Sequence, residues 1–186
     1  LDPNSVENCI TKKTKAIVPM DYGGLSCDIF ELRKIAKKHN LVLIEDAAES
    51  LGSSFKNKKV GSVADSAIFS FCGNKVLTTG EGGAVVTNSK KIFEKIKLIR
   101  SHGRLDKINY FNNTSNSNYV NLGYNWRMSS ITASLGISQI QKLDKIIKLR
   151  RRNAQDLIKS FSKIPEIKVV NSLNSQENIF QLFSIL

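Results

Sequence analysis

Cysteine is scarce in this chain: Cys9, Cys27 and Cys72 are the only three, and no two of them form a CxxC pair. An odd number without that spacing supports neither a disulfide framework nor a zinc centre, so no metal is expected and a reducing cytoplasm is the default location. No apolar run approaches the roughly 20 residues that a membrane-crossing helix needs, which removes the membrane as a partner. The opening residues, LDPNSVENCI, lack the pattern of a secretory signal. A GxGxxG turn after the first expected strand is also missing. With it goes the Rossmann-type module that would have used Glu45 or Asp46 on a ribose.

Positive charge, by contrast, is plentiful, with 28 Lys and Arg against 16 Asp and Glu, a formal net charge of +12. Such an excess can mark nucleic-acid binding. Here the lysines are scattered over nearly every expected helix and no aromatics interleave with a basic run. Solvated lysine faces are the reading, with help in attracting an anionic substrate second and nucleic acid excluded as a partner.

The chain is organised around Leu41 to Gly83. Leu41 to Ile44 is a continuous apolar run ending in Glu45 and Asp46, as expected of a buried parallel strand that delivers an acid at its carboxyl end. A second run, Ala67 to Phe71, ends in Gly73-Asn74-Lys75, placing a lysine twenty-nine residues after Asp46. Ligands collect at such strand ends, so the acid and the lysine could face one pocket. A carboxylate for a pyridinium nitrogen and an amine for a Schiff base are what pyridoxal phosphate requires.

Around this stretch, Asp2-Pro3 is read as the start of a short helix through about Ile10, and Lys15 to Pro19 as a strand. Asp21 to Gly24 is a loop. Asp28 and Glu31 have capping-box spacing for a helix to about His39 with Ile29, Leu32, Ile35 and Ala36 on one face. Strand, helix, strand implies a parallel sheet with a right-handed crossover. Ala47 to Leu51 is expected to start a short helix whose N-terminus favours an anion, and Phe55 to Val60 to form a hairpin around Asn57. Gly80 to Gly83 is a tight turn before a strand from Ala84 to Thr87. A helix follows to about Arg100, with Ile92, Phe93, Ile96 and Ile99 inward. The polar stretch from Ser101 to Tyr124, including NNTSNSN at Asn112 to Asn118, reads as a functional or disordered loop. Helices over Ser129 to Ile140 and Leu143 to Ser162 come next. Pro165 stops the second, and Ile167 to Val170 is a candidate strand. The chain closes on IFQLFSIL, an apolar run resembling a strand cut from its sheet.

EDAAES, FSF, GNK, TTGEGG and YNWRM, taken in order from about Thr14 to about Arg152, resemble the sugar aminotransferases of the DegT/DnrJ/EryC1/StrS family, in its perosamine-synthase-like branch. The resemblance implies an α/β fold, the large domain of pyridoxal-phosphate-dependent fold type I, with a mostly parallel sheet flanked by helices and truncated at both ends. Residues 1–142 would belong to that cofactor-binding domain and 143–186 to a long helix and the start of an incomplete small domain.

The resemblance also implies roles. Lys75 would bond the cofactor's aldehyde and, once released, move the proton. Asp46 would keep the pyridine nitrogen protonated, Ala48 would pack on the ring face, Glu49 would lie near the phenolic oxygen, and Ser70 would donate to the phosphate. Asn125 would reach a partner subunit's phosphate, making a homodimer part of the site. The family's glycine- and threonine-rich phosphate cradle would lie upstream of Leu1, so this chain alone would hold the cofactor weakly. The implied reaction moves an amino group from L-glutamate to a nucleotide-linked keto-deoxysugar, at the 4-position, for polysaccharide or glycoconjugate synthesis. The rival is a non-catalytic oligomerisation or regulatory domain that keeps the fold; loss of Asp46 or Lys75 would have pointed there, and both are present.

Overall fold

The computed structural model of the chain describes residues 1–105, 119–170 and 176–186. Asp2 caps α1 (Pro3–Val6) by accepting the Asn4 amide. Proline fits there because the N–H it lacks would have had no helical partner. β1 (Ala16–Ile17) leads through a tight turn at Tyr22–Gly24 into α2 (Ile29–Lys38), where the Asp28 carboxylate accepts the Glu31 amide at 3.1 Å. The buried positions of α2 are Ile29, Leu32, Ile35 and Ala36, the face expected from their spacing.

β2 (Val42–Asp46) returns parallel to β1. β3 (Ser54–Phe55) and β4 (Lys58–Lys59) form the expected hairpin, with Lys56 and Asn57 both at positive φ, as a two-residue turn matched to strand twist requires. β5 (Ser66–Ser70) lies parallel to β2, and β6 (Gly83–Val86) closes the edge antiparallel to β5, giving the order β1-β2-β5-β6. Leu43 of β2, Leu32 of α2, Ile17, Phe55 and Ala64 meet in the main core. Leu32 and Leu43 are wholly buried, worth about 1.5–3 kcal/mol each relative to exposure.

Two expectations fail. Ala47 to Leu51 is not a helix. The segment makes successive tight turns, with the Ser50 amide on the Ala47 carbonyl and the Ser53 amide on the Ser50 carbonyl, and Gly52 takes φ +99°. The Ala47 amide continues the β2 ladder onto the Ile68 carbonyl, and because no helix follows, the anion site expected at its N-terminus is withdrawn. The second is Phe93 of α3 (Lys90–Arg100): Ser89 caps the helix as foreseen and Ile92, Ile96 and Ile99 are half-buried on the expected face, but Phe93 is 52% exposed and no residue of the helix is fully buried. Its apolar stripe is therefore only partly covered among the described residues.

α4 (Ser130–Ile140) and α5 (Leu143–Phe161) follow, and β7 (Gln176–Glu177) pairs antiparallel with β3. α5 buries Ile147 and Ala154; Ile147 joins Val76 and Ile179 in a second core cluster. The candidate strand at 167–170 pairs with the chain's last residues, through Val170 to Ser184 and Lys168 to Leu186. Thus the final apolar run is paired within the chain instead of forming a bare edge. Asn112 to Asn118 lie outside the described residues, while their flanks meet in the bridges Ser101 to Asn125 and Arg104 to Tyr119.

Candidate active site

Because β2 and β5 are parallel, both deliver their following residues to the same edge of the sheet; Asp46 is in register with Ile68, two residues before Ser70. Asp46 is half-buried, and one of its oxygens accepts the Ala48 amide at 3.2 Å. This local turn, not a helix cap, sets the start of the loop after β2. Half-buried Ala48 leaves little side chain there. After β5, Phe71 pairs with Gly82, Thr79 pairs back to Phe71, and the Lys75 amide closes a turn on the Cys72 carbonyl. Ser70 lies at the mouth of that turn, its hydroxyl accepting the Cys72 amide at 3.3 Å.

The two loops converge on one pair. Lys75 Nζ stands 3.3 Å from Glu49 Oε1, and Glu49 Oε2 accepts the Gly23 amide at 2.8 Å. The side chains are 14% and 16% exposed, so the pair is sheltered enough for its charges to matter and open enough for a reactant to reach the amine. Asn125 is elsewhere. It is exposed, bridges to Ser101 and accepts from Arg127 Nε at 3.4 Å, and among the described residues no hydrogen bond or ion pair joins it to Lys75, Glu49, Asp46 or Ser70. A cavity of about 810 Å³ is lined by residues such as Gly52, Lys59, Ile147 and Arg151, with none of Asp46, Glu49, Ser70 or Lys75 among them.

Three neighbours of the site were given no role in it from sequence. Gln181, almost fully buried, accepts the Val76 amide at 3.1 Å and donates to the Asn74 carbonyl at 2.8 Å. A lone polar residue inside IFQLF was the available signal. Asp21 and Glu45 are both wholly buried behind the edge, Asp21 accepting from Cys27 and Ser50, Glu45 from Gly61. Glu45 shares the inward face of β2 with Leu43, while Asp46 lies on the other, which period-two alternation alone foretells. Burial, and next the Asp21 charge, push the Glu45 carboxyl up to about 7; burial raises Asp21 as well.

With this geometry in view, comparison with known proteins is decisive. The sequence profile of the DegT/DnrJ/EryC1/StrS aminotransferase family matches residues 1–186. The chain belongs to this family. It is 39% identical over 189 aligned positions to a UDP-4-amino-4,6-dideoxy-N-acetyl-beta-L-altrosamine transaminase of Campylobacter jejuni, covering 100% of the chain and 49% of that protein. To the GDP-perosamine synthase of Caulobacter vibrioides it is 40% identical over 152 positions, 82% of the chain and 39% of the relative. Among solved structures, Helicobacter pylori PseC, an aminotransferase of pseudoaminic acid biosynthesis, superimposes with a TM-score of 0.93 at 36% identity, over 100% of this chain and 49% of that one. The α/β fold with a mostly parallel sheet is therefore the family's. The chain spans about half the length of these relatives.

Proposed function

We propose that the chain is part of a pyridoxal-phosphate-dependent aminotransferase. It would transfer an amino group from L-glutamate to the 4-keto carbon of a nucleotide-linked deoxysugar, in the cytoplasm, for polysaccharide or glycoconjugate synthesis. One observation carries the reading: a half-buried lysine paired to a carboxylate at the shared carboxyl edge of two parallel strands, with Asp46 ending the first of them. A sheltered amine and two carboxylates at one edge are a donor set that fits the cofactor.

When bound, the cofactor supplies an electron sink for the carbon being deprotonated. The protein's residues supply the rest. Lys75 would hold the cofactor through its amine and, when that amine is free, would take the proton from the substrate carbon and return it. Glu49, fixed at its far oxygen by the Gly23 amide, keeps the lysine at the edge. Asp46 has one oxygen spent on Ala48 and would offer the other to the pyridinium N–H, a charge-assisted bond. Ala48 leaves room at the ring face, and Ser70 donates its hydroxyl to the phosphate.

Asn125 is assigned to the partner subunit's phosphate in a homodimer. What supports this is an exposed apolar surface on and before α4, with Leu122, Trp126, Ile131 and Ile137 each more than half exposed, larger than lone surface residues account for. Residues 1–142 are assigned to the cofactor-binding domain and 143–186 to the start of the second domain.

The test is reduction with borohydride in the presence of pyridoxal phosphate, followed by peptide mapping. A pyridoxyl group fixed on Lys75 is expected. Label on other lysines with none on Lys75, in a folded protein, would favour the non-catalytic domain instead.

A further inference from the structure

Gln181 lies 106 residues beyond Lys75 in sequence and touches the backbone on both sides of it. Its amide oxygen takes the N–H that follows Lys75, and its amide nitrogen gives to the carbonyl that precedes it. We infer that Gln181 is a positioning residue for Lys75, clamping the two flanking peptide groups and so setting where the amine stands. The inference rests on Lys75 being the reactive amine proposed above.

A buried glutamine that merely satisfies two backbone groups is the plainer reading, but the surrounding bonds go further. The segment carrying Gln181 is tied to α5, where Arg150 Nη1 donates to the Phe180 carbonyl at 3.0 Å and Arg151 Nε donates to the Asn178 carbonyl at 2.9 Å. It is tied equally to the Tyr22–Gly24 turn, with the Leu182 amide on the Gly23 carbonyl and the Ile179 amide on the Gly24 carbonyl. Gly23 in turn holds Glu49. Both halves of the Lys75–Glu49 pair are therefore referenced to one five-residue segment, 178–182, brought in from the far end of the chain.

An amide is the side chain that can do this. It offers an acceptor and a donor on one planar group, matched to an N–H and a carbonyl two positions apart. Glutamate keeps the acceptor but places a second oxygen against the Asn74 carbonyl; methionine keeps the shape and loses both bonds.

The experiment acylates lysines in the purified chain with a small amine-reactive ester and reads each site by mass spectrometry. Gln181→Met and Gln181→Glu are compared with the wild type, alongside melting temperature and borohydride-fixed pyridoxyl yield. Loosening the clamp should raise Lys75 acylation and lower its pyridoxyl yield by about tenfold in Gln181→Met, given how steeply reaction depends on placement. Lys58 and Lys59 should be unchanged. Gln181→Glu, which retains the bond to Val76, should fall between; it carries the test alone if Gln181→Met does not fold. Wild-type acylation of Lys75 in a folded variant of either kind overturns the inference. A complete enzyme that fixes no pyridoxyl group on Lys75, while the variants still expose Lys75 to acylation, defeats the cofactor assignment and leaves the positioning role supported.

Discussion

Asp21 and Glu45 face each other with neither side chain accessible to solvent, one oxygen of each and the Cys27 sulfur lying within 4.8 Å of one another. Both Asp21 oxygens already accept, from the Cys27 amide and the Ser50 hydroxyl, and Glu45 Oε2 accepts from Gly61. Glu45 Oε1 has no donor among the described residues. A proton shared between the two carboxyls supplies that donor and removes the repulsion of two buried charges. The neighbouring Cys27 thiol, pushed up by burial and by Asp21, stays neutral beside them.

Stability should respond to that proton. Glu45 ionises at about 7 when folded against about 4.5 ordinarily, so between those values the folded chain binds more protons than the unfolded one. This contribution is full below that window and is lost as pH rises through about 7. Glu45→Gln, whose amide donates permanently to Asp21, should flatten the decline in melting temperature across the window and exceed the wild type above it. Asp21→Asn should be worse at every pH, by roughly 1–3 kcal/mol, because an amide cannot accept at both ends. Melting curves of the three proteins against pH decide this; identical slopes for wild type and Glu45→Gln would exclude the shared proton.

Asp46→Asn should leave the fold intact, since an asparagine oxygen can still accept the Ala48 amide. Transamination by the complete enzyme proposed above should nevertheless fall on the order of a hundredfold, the scale of losing one preorganised electrostatic contact. Turnover near the wild-type value would reduce Asp46 to its local turn.

Gly24→Ala should destabilise the chain by about 1–3 kcal/mol. The residue sits at φ +94°, and an added Cβ would stand 2.8 Å from both the Gln181 nitrogen and an Ile179 side-chain carbon. Denaturant titration measures the loss. Lys75 acylation should rise with it, because the displaced segment is the one that carries Gln181.

Assembly can be tested by complementation. Asn125→Ala and Lys75→Ala subunits, each inactive in the complete enzyme, should recover activity on mixing, because both lesions then share one site and the other is intact. No recovery after verified subunit exchange would place Asn125 within its own subunit's site.

Much of this molecule was legible from local pattern. The Asp28 cap, the inward face of α2 and the hairpin turn containing Asn57 depend on residues a few positions apart and formed as read, whereas the Glu31 carboxylate pairs with Lys34 and does not complete the capping box. Ala47 to Leu51 departs from the expected helix, making tight turns and reaching Gly52 at φ +99°. The Ile68 carbonyl of β5 claims the Ala47 amide, a tertiary contact that local sequence does not contain. The stripe on α3 was correctly apolar, yet amphipathicity states only that a face seeks cover.

Local pattern was enough to place Asp46 at the end of β2 and Lys75 in the turn that follows β5, since apolar runs stop where a strand must leave the core. Only the tertiary structure decided what those residues meet. Glu49 reaches Lys75 because two parallel strands end at one edge, and Gln181 reaches the peptide groups around Lys75 because α5 and the turn at residues 22–24 hold its segment there. Such contacts join residues 26 to 107 positions apart. Their partners are chosen by packing, and no periodicity within a single segment encodes them.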